Sequence, residues 1–114
     1  MIIAIDFDGT IVNTKGKPLK DSIETVKQIS VLHDVILWTC REGDWLNDAV
    51  DFLKSNGIKL FAVNENPLYD SRKPLYDFLI DDRNIGTPVY FDSNGRRCVD
   101  WEKLIPILKE SHII

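Results

Sequence analysis

The chain has 114 residues, of which 44% are hydrophobic and 28% charged, with a net charge of −4, and this predicts one globular domain spanning residues 1–114. The acidic balance counts against a nucleic-acid partner, and no apolar run approaches the ~20 residues that a membrane-spanning helix needs. Two separated cysteines, and a short apolar start without a basic leader, indicate reduced thiols and a cytoplasmic protein.

The first predicted element is a strand that ends in two carboxylates. The chain begins Met-Ile-Ile-Ala-Ile-Asp-Phe-Asp-Gly-Thr, and an apolar run that stops at polar residues is typical of a parallel strand buried on both faces. Side chains two positions apart in a strand point the same way, so Asp6 and Asp8 should start on one side of its carboxyl end. Gly9 then permits a tight turn. Because two acids this close repel each other, we expect a cation to bind at this strand end.

Helical and extended segments alternate along the rest of the chain. Counting their capping residues, the three predicted helices are residues 21–32, 43–57 and 100–109. The predicted strands after the first are residues 35–39, 59–63, 76–80 and 88–91, and residues 96–99 are expected to return as an edge strand after a turn at 92–95. Pro106 lies deep in the third helix and should kink or divide it.

Strands that alternate with helices predict an α/β fold with a doubly wound, Rossmann-like, mostly parallel five-stranded sheet flanked by helices. Ligands in such folds bind at the carboxyl ends of the strands, where this chain carries Asp6, Thr39 and Asp81. With Asp8 and Asp82, the acids offer only oxygen ligands, which favour a hard ion, and Mg²⁺ suits phosphate chemistry. Asp81 and Asp82 are successive residues, so both can face the ion only if the strand has already turned.

Three segments resemble motifs of the haloacid dehalogenase-like (HAD) superfamily of phosphoryl-transfer enzymes. The run Asp-x-Asp-Gly-Thr after an apolar strand resembles motif I. Ile-Leu-Trp-Thr, ending at Thr39, resembles motif II, whose Ser or Thr hydrogen-bonds a phosphoryl oxygen. Phe-Leu-Ile-Asp-Asp, ending at Asp82, resembles motif IV, whose acids bind the metal. The Lys or Arg of motif III is assigned to Lys73, with Arg72 as the alternative, although Lys73 lies only 8 residues before Asp81 without an intervening helix.

The resemblance implies a Mg²⁺-dependent phosphatase. Asp6 would attack phosphorus and form an aspartyl-phosphate, and Asp8 would protonate the leaving oxygen and then activate water. Thr39 and Lys73 would bind the oxygens on which charge spreads in the transition state. The implied metal ligands are Asp6, Asp8 through its main-chain carbonyl, Asp81 and Asp82, and the implied substrate-binding residues are Thr39, Cys40, Arg41 and Lys73.

The resemblance covers nearly the whole chain as a bare core. Larger members carry a cap domain, but neither the interval from Asp8 to Thr39 nor that from Thr39 to Lys73 has room for one. An uncovered site would be open to bulk water, so either the substrate is large or another copy of the chain, in a homo-oligomer, supplies a lid.

Several functions remain open at this level. A small phosphorylated metabolite, such as a sugar or nucleotide phosphate, is the favoured substrate. Trp-Thr-Cys-Arg and Ile-Asp-Asp-Arg also resemble the phosphatase half of polynucleotide kinase/phosphatase enzymes, which would make the chain a polynucleotide-type end phosphatase. A receiver-like phosphoacceptor module would carry its Asp after the third strand, where this chain has Asn64. The last alternative is an inactive binding scaffold.

Overall fold

A four-stranded parallel sheet forms the centre of the fold. The computed structural model describes residues 1–114, and its sheet contains β1 (Ile2–Ile5), β2 (Asp34–Leu37), β3 (Ala62–Val63) and β4 (Phe78–Ile80) in the order β3-β2-β1-β4. Ile5 pairs with Leu37 on one side and with Ile80 on the other. The carboxyl ends of β1, β2 and β4 therefore meet at one edge of the sheet. The inner strands β1 and β2 are almost entirely buried, as their continuous apolar runs predict.

Three helices flank this sheet: α1 (Ser22–Leu32), α2 (Gly43–Ser55) and α3 (Trp101–Glu110). Each buries an apolar stripe, and side chains from all three join the strands in one hydrophobic core. Asp100 caps α3 by accepting a hydrogen bond from the Lys103 backbone N–H at 3.2 Å, as predicted. The helix continues through Pro106, so it is not divided there, and the alternative expectation of a kink stays a prediction.

The last two strands form a separate hairpin rather than an edge of the main sheet. β5 (Val89–Phe91) and β6 (Arg97–Val99) pair with each other in antiparallel register. The return strand after the turn at 92–95 is confirmed, but the predicted five-stranded sheet is wrong. Only residues 81–88 connect β4 to β5, whereas a parallel neighbour needs a crossover of about a dozen residues or more.

The chain is compact. Its Cα radius of gyration is 13.4 Å, close to the value of about 13 Å expected for a folded chain of this length. None of α1, α2 and α3 combines the length and apolar character required to cross a membrane.

Candidate active site

Three carboxylates gather where β1 and β4 end side by side. The Asp6 backbone N–H donates to the Ile80 carbonyl at 2.9 Å, which places Asp6 beside the residues that follow β4. One carboxylate oxygen each of Asp6, Asp81 and Asp82 lies within 4.8 Å of the others. We call these three residues the carboxylate cluster. Because β4 ends at Ile80, strand alternation no longer separates Asp81 from Asp82, and both side chains reach the cluster.

The cluster is electrostatically unfavourable without a cation. Burial, followed by the charge of Asp81, raises the pKa of Asp6 to about 7, against smaller opposing effects of hydrogen bonds from Thr10 and the Phe7 backbone. Burial is also the main reason that the pKa of Asp81 is raised, and Asp82 adds to it. Three oxygen ligands that repel one another in a partly buried site are the donor set that a hard divalent ion would neutralise. The residues therefore fit Mg²⁺.

Thr10 links the cluster to the rest of the core. Its buried hydroxyl donates to Asp6 Oδ2 at 2.9 Å and accepts from the Asp82 backbone N–H at 3.1 Å. Its carbonyl accepts from Trp101 Nε1 at 2.7 Å, so the first residue of α3 holds the same turn. Thr10 is not among the predicted site residues. The signal was present, because Thr10 closes the Asp-x-Asp-Gly-Thr run.

The Asp8 side chain lies outside the cluster and pairs with Arg41. Arg41 Nε donates to Asp8 Oδ2 at 2.8 Å and Nη2 donates to Oδ1 at 2.7 Å, which is a bidentate ion pair. The third nitrogen, Nη1, donates to the Trp45 carbonyl at 3.2 Å. The guanidinium carbon lies 4.7 Å from the centre of the Phe7 ring and 4.6 Å from that of Trp45. Arg41 thus contacts two aromatic rings and donates hydrogen bonds from all three nitrogens.

Thr39 follows β2 and is positioned by Asn64, which sequence reasoning missed. The Thr39 backbone N–H donates to Asn64 Oδ1 at 2.8 Å, and its hydroxyl accepts from the Arg41 backbone N–H at 3.2 Å. Asn64 follows β3 with a φ of 55°, a left-handed conformation that Asn tolerates better than most residues. An Asn directly after a predicted strand was the available signal. Cys40, between Thr39 and Arg41, is an exposed free thiol.

The cation beside the cluster is Arg97, not Lys73. Lys73 lies in the exposed loop before β4, and its ammonium makes no ion pair with a carboxylate within 4.0 Å. Arg97 lies on β6, and its Nε donates to Asp82 Oδ2 at 3.2 Å. No local pattern in the sequence singles out Arg97, because only the packing of the hairpin brings it here.

Two open clefts mark opposite ends of the sheet. One, of about 390 Å³, lies beside the carboxyl ends of β2 and β3, and its lining includes Trp38, Asn64 and Arg72. Trp38 donates its backbone N–H to the Ile5 carbonyl at 2.8 Å, so this cleft begins one strand away from Asp6. The other, of about 470 Å³, lies around His33 near the amino ends of the strands and contains no predicted site residue.

A solved protein structure is similar to this chain in both sequence and fold. No family model matches the chain, and no curated protein matches it significantly. Among solved structures, the chain is similar to a conserved protein from Bacteroides thetaiotaomicron, with 35% sequence identity and a TM-score of 0.77. The alignment covers 97% of this chain and 91% of that one. The name of that protein states no activity, ligand or partner.

Proposed function

We propose that this chain, which belongs to the same family as the conserved protein from Bacteroides thetaiotaomicron, is a Mg²⁺-dependent phosphomonoester hydrolase of the HAD type. The substrate class that we propose is a small phosphorylated metabolite, such as a sugar or nucleotide phosphate. The observation that carries the proposal is the carboxylate cluster, which forms where the Asp-x-Asp-Gly-Thr strand ends beside Asp81 and Asp82. The parallel sheet, with these residues at its carboxyl edge, supports a Rossmann-like core.

Asp6 is the proposed nucleophile. Its oxygen would bond to phosphorus as the bond to the leaving oxygen breaks, which leaves the phosphoryl group on Asp6 as an aspartyl-phosphate. Thr10 supports this role because its hydroxyl donates to Asp6 Oδ2 and restricts the carboxylate to one orientation. Asp6, Asp81 and Asp82, with the Asp8 carbonyl, would hold Mg²⁺, which supplies positive charge against the phosphoryl oxygens.

Asp8 is the proposed proton donor and acceptor. It would give a proton to the departing oxygen in the first step and take one from water in the second, when water attacks phosphorus and frees Asp6. Both of its carboxylate oxygens accept from Arg41, so at least one of these hydrogen bonds must open before Asp8 can transfer a proton. Arg41 then acts on Asp8 as a positioning residue, and Thr39 supplies a hydroxyl to the phosphoryl oxygens.

The experiment is release of phosphate from an aryl phosphate, with Mg²⁺ or with EDTA. We expect activity with Mg²⁺ only, and a loss of at least about a thousandfold in kcat in Asp6→Asn, which removes the nucleophile. Asp48→Asn is the matched control, because Asp48 is exposed on α2 and makes no ion pair. Activity that survives in Asp6→Asn, or in EDTA, would overturn the proposal.

The carboxyl edge of the sheet, where the carboxylate cluster lies, is not covered by another domain of the chain. We therefore propose that a second copy of the chain supplies a lid when substrate binds. Size-exclusion chromatography with light scattering tests this, and a monomer that persists with substrate would contradict it.

The free thiols of Cys40 and Cys98 support a cytoplasmic location, where thiols stay reduced.

A further inference from the structure

Arg97 is the only basic side chain that contacts the carboxylate cluster. Its Nε lies 3.2 Å from Asp82 Oδ2, and neither of the other two ion pairs in the chain involves a member of the cluster. Three carboxylates with one guanidinium leave a negative excess that a divalent ion would offset. Arg97 is then the basic residue in contact with the carboxylates that would hold that ion.

The fold holds Arg97 in this place through its backbone. Val99, two residues further along β6, donates its N–H to the Gly9 carbonyl at 2.9 Å. A Cβ built on Gly9 would lie 3.1 Å from both the Arg97 carbonyl and Asp82 Oδ2, so the hairpin packs directly on the turn of the Asp-x-Asp-Gly-Thr run. The position of Arg97 beside the cluster is therefore set by β6 and this turn, and does not depend on the single ion pair with Asp82.

Arg97 also has guanidinium nitrogens that donate to no protein acceptor, whereas Arg41 has none. Its Nε is the only guanidinium nitrogen that donates to the protein, so both Nη groups have no protein acceptor. The side chain is 41% exposed, whereas that of Arg41 is 11% exposed and donates from all three nitrogens. Two parallel N–H groups on a guanidinium match two oxygens of a phosphoryl group. Arg97 is the arginine of the site that can bind an anion without breaking an existing contact.

We infer that Arg97 binds the phosphoryl oxygens of the substrate, the role that the motif resemblance implies for Lys73. The inference rests on the proposed function, since it names the residue that recognises the phosphoryl group in the same site. Charge on the transferred group spreads over its oxygens in the transition state, so the Nη donors of Arg97 would serve both binding and catalysis. The cation thus comes from a hairpin that follows the parallel sheet in the chain.

The experiment is calorimetric titration of inorganic phosphate into the Mg²⁺-loaded protein. We expect Arg97→Gln to weaken phosphate binding by roughly tenfold to a hundredfold, the range for a lost charge-assisted hydrogen bond, and Arg97→Lys to recover part of it. Arg96→Gln is the matched control, because it removes the same charge from the neighbouring residue, whose guanidinium contacts no carboxylate. Lys73→Gln tests the rival assignment. We expect Arg96→Gln and Lys73→Gln each to bind phosphate within about twofold of wild type.

Mg²⁺ affinity without phosphate separates anion binding from a structural role. Loss of the guanidinium removes a cation that competes for Asp82, so Arg97→Gln should bind Mg²⁺ as tightly as wild type or more tightly. Weakening of Mg²⁺ and phosphate binding to the same extent would overturn the inference. Wild-type phosphate affinity in Arg97→Gln, loss of affinity in Lys73→Gln, or no phosphate binding by wild type at millimolar concentrations would do so as well.

These results are independent of the test of the proposed function. Phosphate release that depends on Asp6 but not on Arg97 would overturn the arginine assignment alone. Phosphate binding that depends on Arg97, in a chain that hydrolyses no phosphomonoester, would support the assignment and overturn the hydrolase.

Discussion

Neighbouring groups shift the pKa of Asp6 in opposite directions. Burial and Asp81 raise its pKa to about 7, while the Thr10 hydroxyl favours the ionised form. The proposed nucleophile must be ionised to attack phosphorus, so near neutral pH its state is decided by these neighbours and by any bound cation. Of these neighbours, Thr10 can lose its polar group with the smallest change in side-chain volume, by replacement with Val.

Thr10→Val should therefore show what the hydroxyl contributes. The variant removes the donor to Asp6 and leaves the Asp82 backbone N–H without its acceptor, so we expect a stability loss of about 1–3 kcal/mol. The pKa of Asp6 should rise further, because a hydrogen bond to its ionised form is lost. Urea unfolding measures the first effect and NMR titration of the carboxyl carbon the second.

Thr14→Val serves as its control, since Thr14 is exposed and its hydroxyl makes no hydrogen bond to the protein. Equal stability of the Thr10 and Thr14 variants, or an unchanged pKa of Asp6, would contradict this account of the hydroxyl.

Asp8 and Arg41 illustrate what residue types alone do not reveal. The spacing of Asp6 and Asp8 correctly places both after β1. The Asp8 carboxylate nevertheless lies outside the cluster, because the turn at Gly9 begins there and Arg41 offers two aligned donors. Residue 41 lies 33 positions away, and only the pairing of β1 with β2 brings it close. No local pattern carries that information.

At the level of elements, the turn after β1 and the β5–β6 hairpin act as one unit. Val99 bonds to the Gly9 carbonyl and Trp101 bonds to the Thr10 carbonyl, so the hairpin and the start of α3 both rest on the turn. Gly9 has a φ of 79°, and a Cβ built on it would be crowded, at 3.1 Å from both the Arg97 carbonyl and Asp82 Oδ2. Its small size is what allows the hairpin to approach and bring Arg97 to Asp82.

Gly9→Ala should thus destabilise the chain more than Gly16→Ala. Gly16 has a nearly identical φ of 75° with no atom within 4 Å of a built Cβ, so it reports backbone strain alone, of about 1–2 kcal/mol. Gly9→Ala adds crowding against Arg97 and Asp82, and it should also weaken Mg²⁺ binding. Urea unfolding and Mg²⁺ titration of both variants measure these effects, and equal losses of stability would contradict the packing argument.

Most elements were predictable because their signals are local. The apolar run of β1, the helical spacing of α2 and the turn at 92–95 each depend on neighbours within a few residues. The placement of β5 was the error, although the short connection at 81–88 already argued against a parallel neighbour. The other strands were predicted in place but too long, since β3 and β4 contain only two and three residues.

For the whole molecule, the carboxylate cluster links stability to pH and metal. The pKa of Asp6 is raised from 3.8 to about 7 on folding, so the folded state holds this proton more tightly than the unfolded state. The stability from Asp6 is then fully present below about pH 4 and is lost as pH rises through about 7. The raised pKa of Asp81 acts in the same direction.

We therefore expect the metal-free protein to be less stable at about pH 8 than at about pH 5, and Mg²⁺ to raise its melting temperature chiefly at the higher pH. Binding to the folded state alone stabilises it by mass action, and protons compete with Mg²⁺ at low pH. Thermal unfolding in EDTA and in Mg²⁺ measures both effects. Asp6→Asn should reduce both, and a melting temperature insensitive to Mg²⁺ at pH 8 would count against a metal site.

The local order of residues was enough to identify the strand ends, the acids that follow them and the hairpin turn, because backbone sterics and side-chain periodicity act over a few positions. Which strands become neighbours depends on burial of the entire core, and that choice places Asp81 and Asp82 beside Asp6. It also places Arg97, rather than Lys73, next to Asp82. Contacts between residues so far apart in the chain form only when the sheet and hairpin pack together, so tertiary structure alone decided the charge balance of the site.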